Sequence, residues 1–430
     1  MIRTPAYLNL PLGSVLVEDA DEEIFLLYTR KLQLASSDRS EPQQAKNEED
    51  QDAVKTDGLG FASEAGEVVP VSLTITDPWT VPSSVVGNAT STDTGGKKAA
   101  ARRKKPSTST NLAARRKGDL TVEVELHQSL DALRHRKGDT GSVLWRLSLH
   151  LAKYLLRSHH FPHASHPPLL PALASSTILE LGSGTGFLGI ALRDVVLNPN
   201  PQSETGGRWL FSDQLVNLPL VVRNLRANGE IDAQPTSPPL SASATLSKSP
   251  KLKSRTLGTP IAEQRAAASS ASSSGKKDKK KRERVEVLEL DWLAEAAEWD
   301  REQSRPSTDG EHGKENEEEG EEEGPLVILA VDCIYNPSLS APLAKTILRQ
   351  AQVRSAAHRR HGTLVTVASE LRDEEPLQEF LQAWIDASGD EWTIARLGWE
   401  DEEERRVAGP LATGQFVVWV AWRKDCVNRD

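Results

Sequence analysis

Three glycines at alternate positions, Gly182, Gly184 and Gly186, close the apolar run ILEL and open a helical pattern at Phe187. Glycine permits positive φ and lets a ligand approach the backbone, and the helix start beyond it offers free N–H groups. A nucleotide-like cofactor fits such a turn. With Phe187 three positions after Gly184, the run reads as G-x-G-x-G and not as the dinucleotide G-x-G-x-x-G. No Gly-Lys-Ser/Thr follows, so a phosphate-cradling loop is excluded as well. Glu180, just before the turn, would crowd a pyrophosphate but favour a cationic sulfonium group. Asp213 ends the next run, WLFSD. A carboxylate there accepts hydrogen bonds from both hydroxyls of a ribose, or else caps the helical pattern that begins at Leu215; the glycine turn one unit earlier favours the ribose.

A second cluster is Asp332-Cys333-Ile334-Tyr335-Asn336, at the end of LVILAV. It falls at the carboxyl edge of a strand, where α/β sheets bind ligands. Plainer roles for its members are a helix N-cap for Asp332, a packed strand-end ring for Tyr335 and a small buried residue for Cys333. The histidines 159, 160, 163 and 166 stand among prolines and read as a solvated loop, not a metal site.

The elements that must position these groups alternate in type. Short β-branched or apolar runs at Thr177–Leu181, Arg208–Ser212, Val285–Glu289, Leu326–Val331 and Thr363–Ala368 are each followed by helical periodicity, which predicts a parallel α/β sheet. The helices are expected over Phe187–Leu197, Leu215–Asn228, Leu339–Ala351 and Leu377–Ala387. Trp392–Leu397 and Phe416–Trp422 add two strands joined by a non-helical loop, hence an antiparallel C-terminal strand. Seven strands result, preceded by a half-buried strand around Val122–Leu126 and a helix over Val143–Leu156.

Composition sets the limits. Hydrophobic residues make up 37% and aromatics 5% of the 430 residues, and mean hydropathy is −0.47, so part of the chain cannot build a core. The expected organisation is an N-terminal extension (1–34), a disordered linker (35–118) and a catalytic domain (119–430) with low-complexity insertions at 233–282 and 300–324. Charge is −10, from 52 Lys and Arg against 62 Asp and Glu; the three low-complexity stretches are together slightly basic, so the acidity belongs to the remainder. That disfavours nucleic-acid docking and suits a lysine-rich protein partner. The basic blocks 97–117 and 276–284 read as RNA contacts, import signals or solvated linkers. No apolar run is long enough to span a membrane and no secretory signal opens the chain. With two cysteines there is no disulfide framework or cysteine zinc site, so an intracellular, cytoplasmic or nuclear, monomer is expected.

ELGSGTGFLGI, followed by SDQLVNLPLVVRNLRANG, LELDW and VILAVDCIYN, resembles the seven-strand S-adenosylmethionine-dependent methyltransferases, and within them the protein-lysine methyltransferases of family 16. The upstream LRHRKGDTGSVLWRLSLHLAKYLL resembles a fungal branch that acts on ribosomal proteins. The resemblance covers most of 120–430 outside the insertions. It implies a Rossmann-like sheet, S-adenosyl-L-methionine as cofactor, and a lysine of a 60S ribosomal protein as substrate. It further implies that Trp145, Glu180, Gly182, Ser183, Gly184, Asp213, Trp292 and Val331 contact the cofactor, and that Asp332 and Tyr335 border the substrate amine. No metal is implied. A small-molecule methyltransferase and a non-catalytic cofactor-binding scaffold of ribosome assembly are the alternatives.

Overall fold

Thr177–Leu181 (β4) is buried at every position, as a central strand covered on both faces must be. Its residues face two separate cores: Ile178 points into one, Leu179 and Leu181 into the other. The chain is described by a computed structural model over residues 2–37, 62, 66–79, 118–135, 140–197, 206–231, 284–305, 324–354, 358 and 361–428. The insertion sequences and the two basic blocks lie almost wholly outside these residues.

In chain order the strands are β1 (Val15–Leu16), β2 (Val68–Ile75), β3 (Leu120–His127), β4, β5 (Arg208–Asp213), β6 (Val285–Glu289), β7 (Leu326–Val331), β8 (Thr363–Glu370), β9 (Trp392–Arg396) and β10 (Phe416–Arg423). The helices are α1 (Ala20–Ser37), α2 (Leu130–His135), α3 (Arg146–His160), α4 (Phe187–Ala191), α5 (Arg193–Val196), α6 (Leu218–Ala227), α7 (Trp292–Gln303), α8 (Pro337–Arg354), α9 (Glu374–Ser388) and α10 (Glu402–Ala408). The main sheet has the order β1-β9-β10-β8-β7-β4-β5-β6. Pairing is parallel from β8 through β6, while β10 runs antiparallel to both of its neighbours and β1 antiparallel to β9. The mostly parallel α/β sheet is therefore present, with eight strands instead of the expected seven.

The eighth strand comes from the N-terminal extension. Val15 and Leu16 pair with Arg396 and Ala395, and the following α1 packs on α9. Glu23, 4% exposed, accepts from the Trp419 indole at 2.9 Å and lies 2.8 Å from Arg396 Nε. The extension thus closes the sheet edge and supplies a buried anion to it. A two-residue strand carries no periodicity, which is why it is illegible beforehand.

Part of the expected linker is ordered. Val68–Ile75 pairs along its whole length with β3 as a two-stranded antiparallel ribbon, burying Val69, Leu73 and Ile75. The predicted half-buried strand at Val122–Leu126 finds its partner there. The expected helix over 187–197 is broken at Leu192 into α4 and α5. The histidine loop is also less solvated than expected: Trp79 stacks on His163 at 4.6 Å and on His166 at 5.1 Å. His166 Nε2 lies 3.0 Å from Glu403 and 3.6 Å from Asp401. Among the described residues no helix is long and apolar enough to cross a membrane.

The sequence-adjacent β5 lies on one side of β4, and β7 on the other. A crevice opens at the carboxyl ends of strands where the order reverses in this way. The glycine turn follows β4 and Asp332 follows β7, so both face it.

Candidate functional site

The three turn glycines all take positive φ, at 64°, 55° and 72° for Gly182, Gly184 and Gly186. A Cβ on Gly182 would lie 2.9 Å from Cys333 Sγ and 3.2 Å from the Trp292 ring, and one on Gly184 would lie 2.9 Å from the Gly141 carbonyl. Bare backbone therefore lines the crevice here. Ser183 stitches the turn to β5: its N–H donates to Ser212 O at 2.9 Å and its Oγ accepts from Ser212 N at 3.0 Å. Buried Asn224 donates to Thr185 O at 2.8 Å and exchanges bonds with the His127 backbone, tying the turn to β3.

Gly189 carries a signal that the sequence reading passed over. Gly184-x-Gly186-x-x-Gly189 does form a G-x-G-x-x-G run, two residues later than the one tested. A Cβ at Gly189 would come within 2.4 Å of Phe211 and 2.7 Å of Trp209, so this glycine permits close packing of α4 on β5.

Asp213 does not cap a helix. The N-cap of α6 is Asn217, without a side-chain cap bond. Asp213 Oδ2 accepts from Gly184 N at 2.7 Å, and Oδ1 from Gln214 N at 2.8 Å and Asn217 Nδ2 at 2.9 Å. The carboxylate thus fixes the glycine turn.

Glu180 is 5% exposed and accepts from the Trp209 indole at 2.9 Å. Burial pushes its carboxyl up to about 8, and the nearby Asp213 adds to this, against the lowering effect of the indole. Cys333 donates to Leu181 O at 3.2 Å, and burial first, then Asp213 and Asp332, hold its thiol protonated well above the usual range. It is a packing residue.

Asp332 is the one non-glycine with positive φ, 57°, among the described residues. Aspartate tolerates the left-handed region through its short polar side chain. Its N–H extends the β7–β8 ladder to Ala368 O at 2.8 Å, and the turn sends its carboxylate to Arg372 Nη2 at 2.7 Å. It caps no helix; Asn336 takes Ser338 N instead. Burial raises the Asp332 carboxyl, Arg372 pulling the other way. Arg372 also reaches Glu370 at 2.9 Å and covers the Trp145 ring at 4.7 Å, while Trp145 Nε1 donates to Thr140 O at 2.8 Å. Arg146 completes the chain by donating to Glu370.

All ten residues singled out from the sequence line one cleft: Trp145, Glu180, Gly182, Ser183, Gly184, Asp213, Trp292, Val331, Asp332 and Tyr335. The acidic side chains of its lining are Glu180, Asp213 and Asp332, and among the described residues no Lys or Arg joins them. Such a lining suits a cationic ligand and opposes a phosphate. The glycine cradle and the adjoining carboxylate fit a nucleoside bearing a cationic group. Sequence reasoning missed Thr140, Gly141 and Asn217 in the cleft, and Glu370, Arg372 and Arg146 behind it.

Residues 125–243 match the model of a family described as lysine methyltransferase. Among curated proteins, a Schizosaccharomyces pombe protein named diaminohydroxyphosphoribosylamino-pyrimidine deaminase is 26% identical over 260 residues, 60% of this chain and 41% of that protein. The chain therefore spans less than half the length of that relative. Solved structures that resemble it include a Streptococcus mutans protein described as a SAM-dependent methyltransferase, with TM-score 0.29 and 9% identity over 70% of this chain and 53% of that one. Another is geranyl diphosphate methyltransferase in complex with its substrate and sinefungin, with TM-score 0.26 and 11% identity over 70% and 90%.

Proposed function

We propose that this chain is an S-adenosyl-L-methionine-dependent protein-lysine N-methyltransferase acting on a protein of the large, 60S, ribosomal subunit. The observation that carries the reading is one acidic cleft joining the glycine turn and Asp213 to Asp332 and Tyr335 at the neighbouring strand end. The family match over 125–243 supports the reaction class. When bound, the cofactor supplies an electrophilic methyl group on a cationic sulfur. Asp213, which lines the cleft beside the glycine turn, takes a ribose hydroxyl, and Trp145, Trp292 and Val331 wall the cleft. Asp332 and Tyr335 receive the substrate amine from the far side. A lysine with ordinary pKa about 10.4 must shed a proton before it attacks, and desolvation in the cleft lowers that value. Positioning then does most of the work.

The name of the fission-yeast relative does not transfer to these residues. A zinc deaminase of the nucleobase type uses H-x-E and P-C-x-x-C, whereas the two cysteines here are the thiol under the glycine turn and Cys426 near the C-terminus.

Incubation of the protein with methyl-labelled cofactor and a lysate separates the readings. Label in a ribosomal protein, lost on Lys→Arg substitution of the acceptor, is the expected result; label only in small molecules defeats the protein substrate, and no transfer defeats the enzyme. Glu180 gives a second check. Its carboxyl is protonated below about pH 8, and a cationic cofactor prefers it ionised. Affinity is therefore expected to rise by up to about tenfold per pH unit toward pH 8 and to level off above. Calorimetry should show this slope in the wild type and a flat profile in Glu180→Gln; a flat wild-type profile removes the carboxylate from the cofactor site.

A further inference from the structure

Behind the cleft, four charges alternate in sign: Asp332, Arg372, Glu370 and Arg146. Arg372 is the junction. Its Nη2 serves Asp332 at 2.7 Å and Glu370 at 2.9 Å, and its guanidinium lies 4.7 Å over the Trp145 ring. Arg372 itself does not line the cleft, whereas Asp332 and Trp145 both do. One planar cation thus grips the residue that faces the substrate amine and the ring that walls the cofactor side, the use to which a guanidinium's rigid fork and flat face are suited. Glu370, balanced by Arg146, keeps Arg372 from moving toward the cleft.

We propose that Arg372 is a positioning residue of the transfer reaction, holding Asp332 in its left-handed turn and Trp145 against the cleft. Asp332 Oδ2 is committed to Arg372, and Oδ1, which has only a long 3.5 Å contact from Glu370 N, is the oxygen left for an incoming ammonium. The groups that act on Asp332 are Arg372, Glu370 and, through them, Arg146, with Cys333 beside it and Tyr335, Glu180 and Asp213 in the lining of the same cleft. Arg372 opposes the rise that burial imposes on Asp332, so it also extends the pH range over which that carboxylate is ionised. This inference rests on the methyltransferase reading for its kinetic consequences but not for its pairing geometry.

The experiment uses the full chain with Arg372→Ala and Arg372→Lys. Arg372→Ala is expected to lower kcat by about 30-fold or more and to move the acid limb of the kcat/KM profile upward by about one pH unit. Lysine should restore part of the rate, and added guanidinium ion part of the rate of the alanine variant. A readout independent of transfer is the melting temperature against pH. Without Arg372 the folded carboxyls bind protons more tightly, so the variant's stability relative to wild type falls as pH rises and the two converge in acid, where Asp332 and Glu370 are neutral. Unchanged turnover with an unmoved acid limb overturns the proposal. So does a lower KM with guanidinium acting as an inhibitor, which would make Arg372 a plug of the amine site. If the wild type transfers no methyl group, the functional reading fails, and the pH dependence of melting still decides the pairing.

Discussion

Asp332→Asn is expected to cut methyl transfer by about 100-fold or more while leaving cofactor affinity within about threefold. The substitution isolates charge from shape. Asparagine is the residue best able to keep a left-handed φ without glycine, so the 57° turn at the end of β7 survives. Its amide oxygen still accepts from Arg372. What disappears is the negative charge that meets the substrate ammonium in a buried setting, and losing one partner of a buried, hydrogen-bonded charge pair costs about 2–5 kcal/mol. Cofactor contacts on the Asp213 side of the cleft are untouched. Single-turnover transfer together with calorimetric cofactor binding reads both quantities. A variant that transfers at the wild-type rate removes Asp332 from the amine site; one that loses cofactor affinity equally places it on the cofactor side. Tyr335→Phe, which removes only a hydroxyl, is expected to cost about tenfold.

Much of this site is legible in the sequence because it is local. Each strand end and the turn after it form one short contiguous word, GSGTG after ILEL or DCIYN after LVILAV, and parallel topology brings such words to a common edge. Arg372 and Arg146 are different. Arg146 meets Glu370 across 224 positions and Arg372 meets Asp332 across 40, and SELRDEEP reads by itself as a solvated charge run. Only the β7–β8 register brings Glu370 and Arg372 beside Asp332. In Val68–Ile75 the alternation of a half-buried strand is present but interrupted by Pro70 and embedded in Ser, Thr, Gly and charge. Proline is tolerated there because, among the described residues, β2 pairs with β3 alone and so forms an edge of its ribbon. Composition pointed to linker, and pairing with β3 overrode it. β1 fails to register for a simpler reason, being two residues long.

Gly184→Val is expected to reduce cofactor affinity by at least about 100-fold and to lower stability by about 2–4 kcal/mol. Two costs add. A β-branched side chain at φ 55° is strained wherever it sits, and here its Cβ would meet the Gly141 carbonyl at 2.9 Å, backbone that has no rotamer by which to withdraw. Relief requires the turn to shift. That shift breaks the 2.7 Å bond from Gly184 N to Asp213 Oδ2, so the carboxylate assigned to the ribose loses its orientation along with the cradle. Gly229→Ala separates strain from obstruction, since Gly229 also has positive φ, 72°, but a Cβ there meets nothing within 4 Å among the described residues. That control should cost about 1 kcal/mol in melting experiments and leave cofactor binding intact. Equal losses of affinity in the two variants would mean that backbone strain alone, and not the glycine cradle, governs binding. Wild-type affinity in Gly184→Val would exclude this turn as the cofactor site.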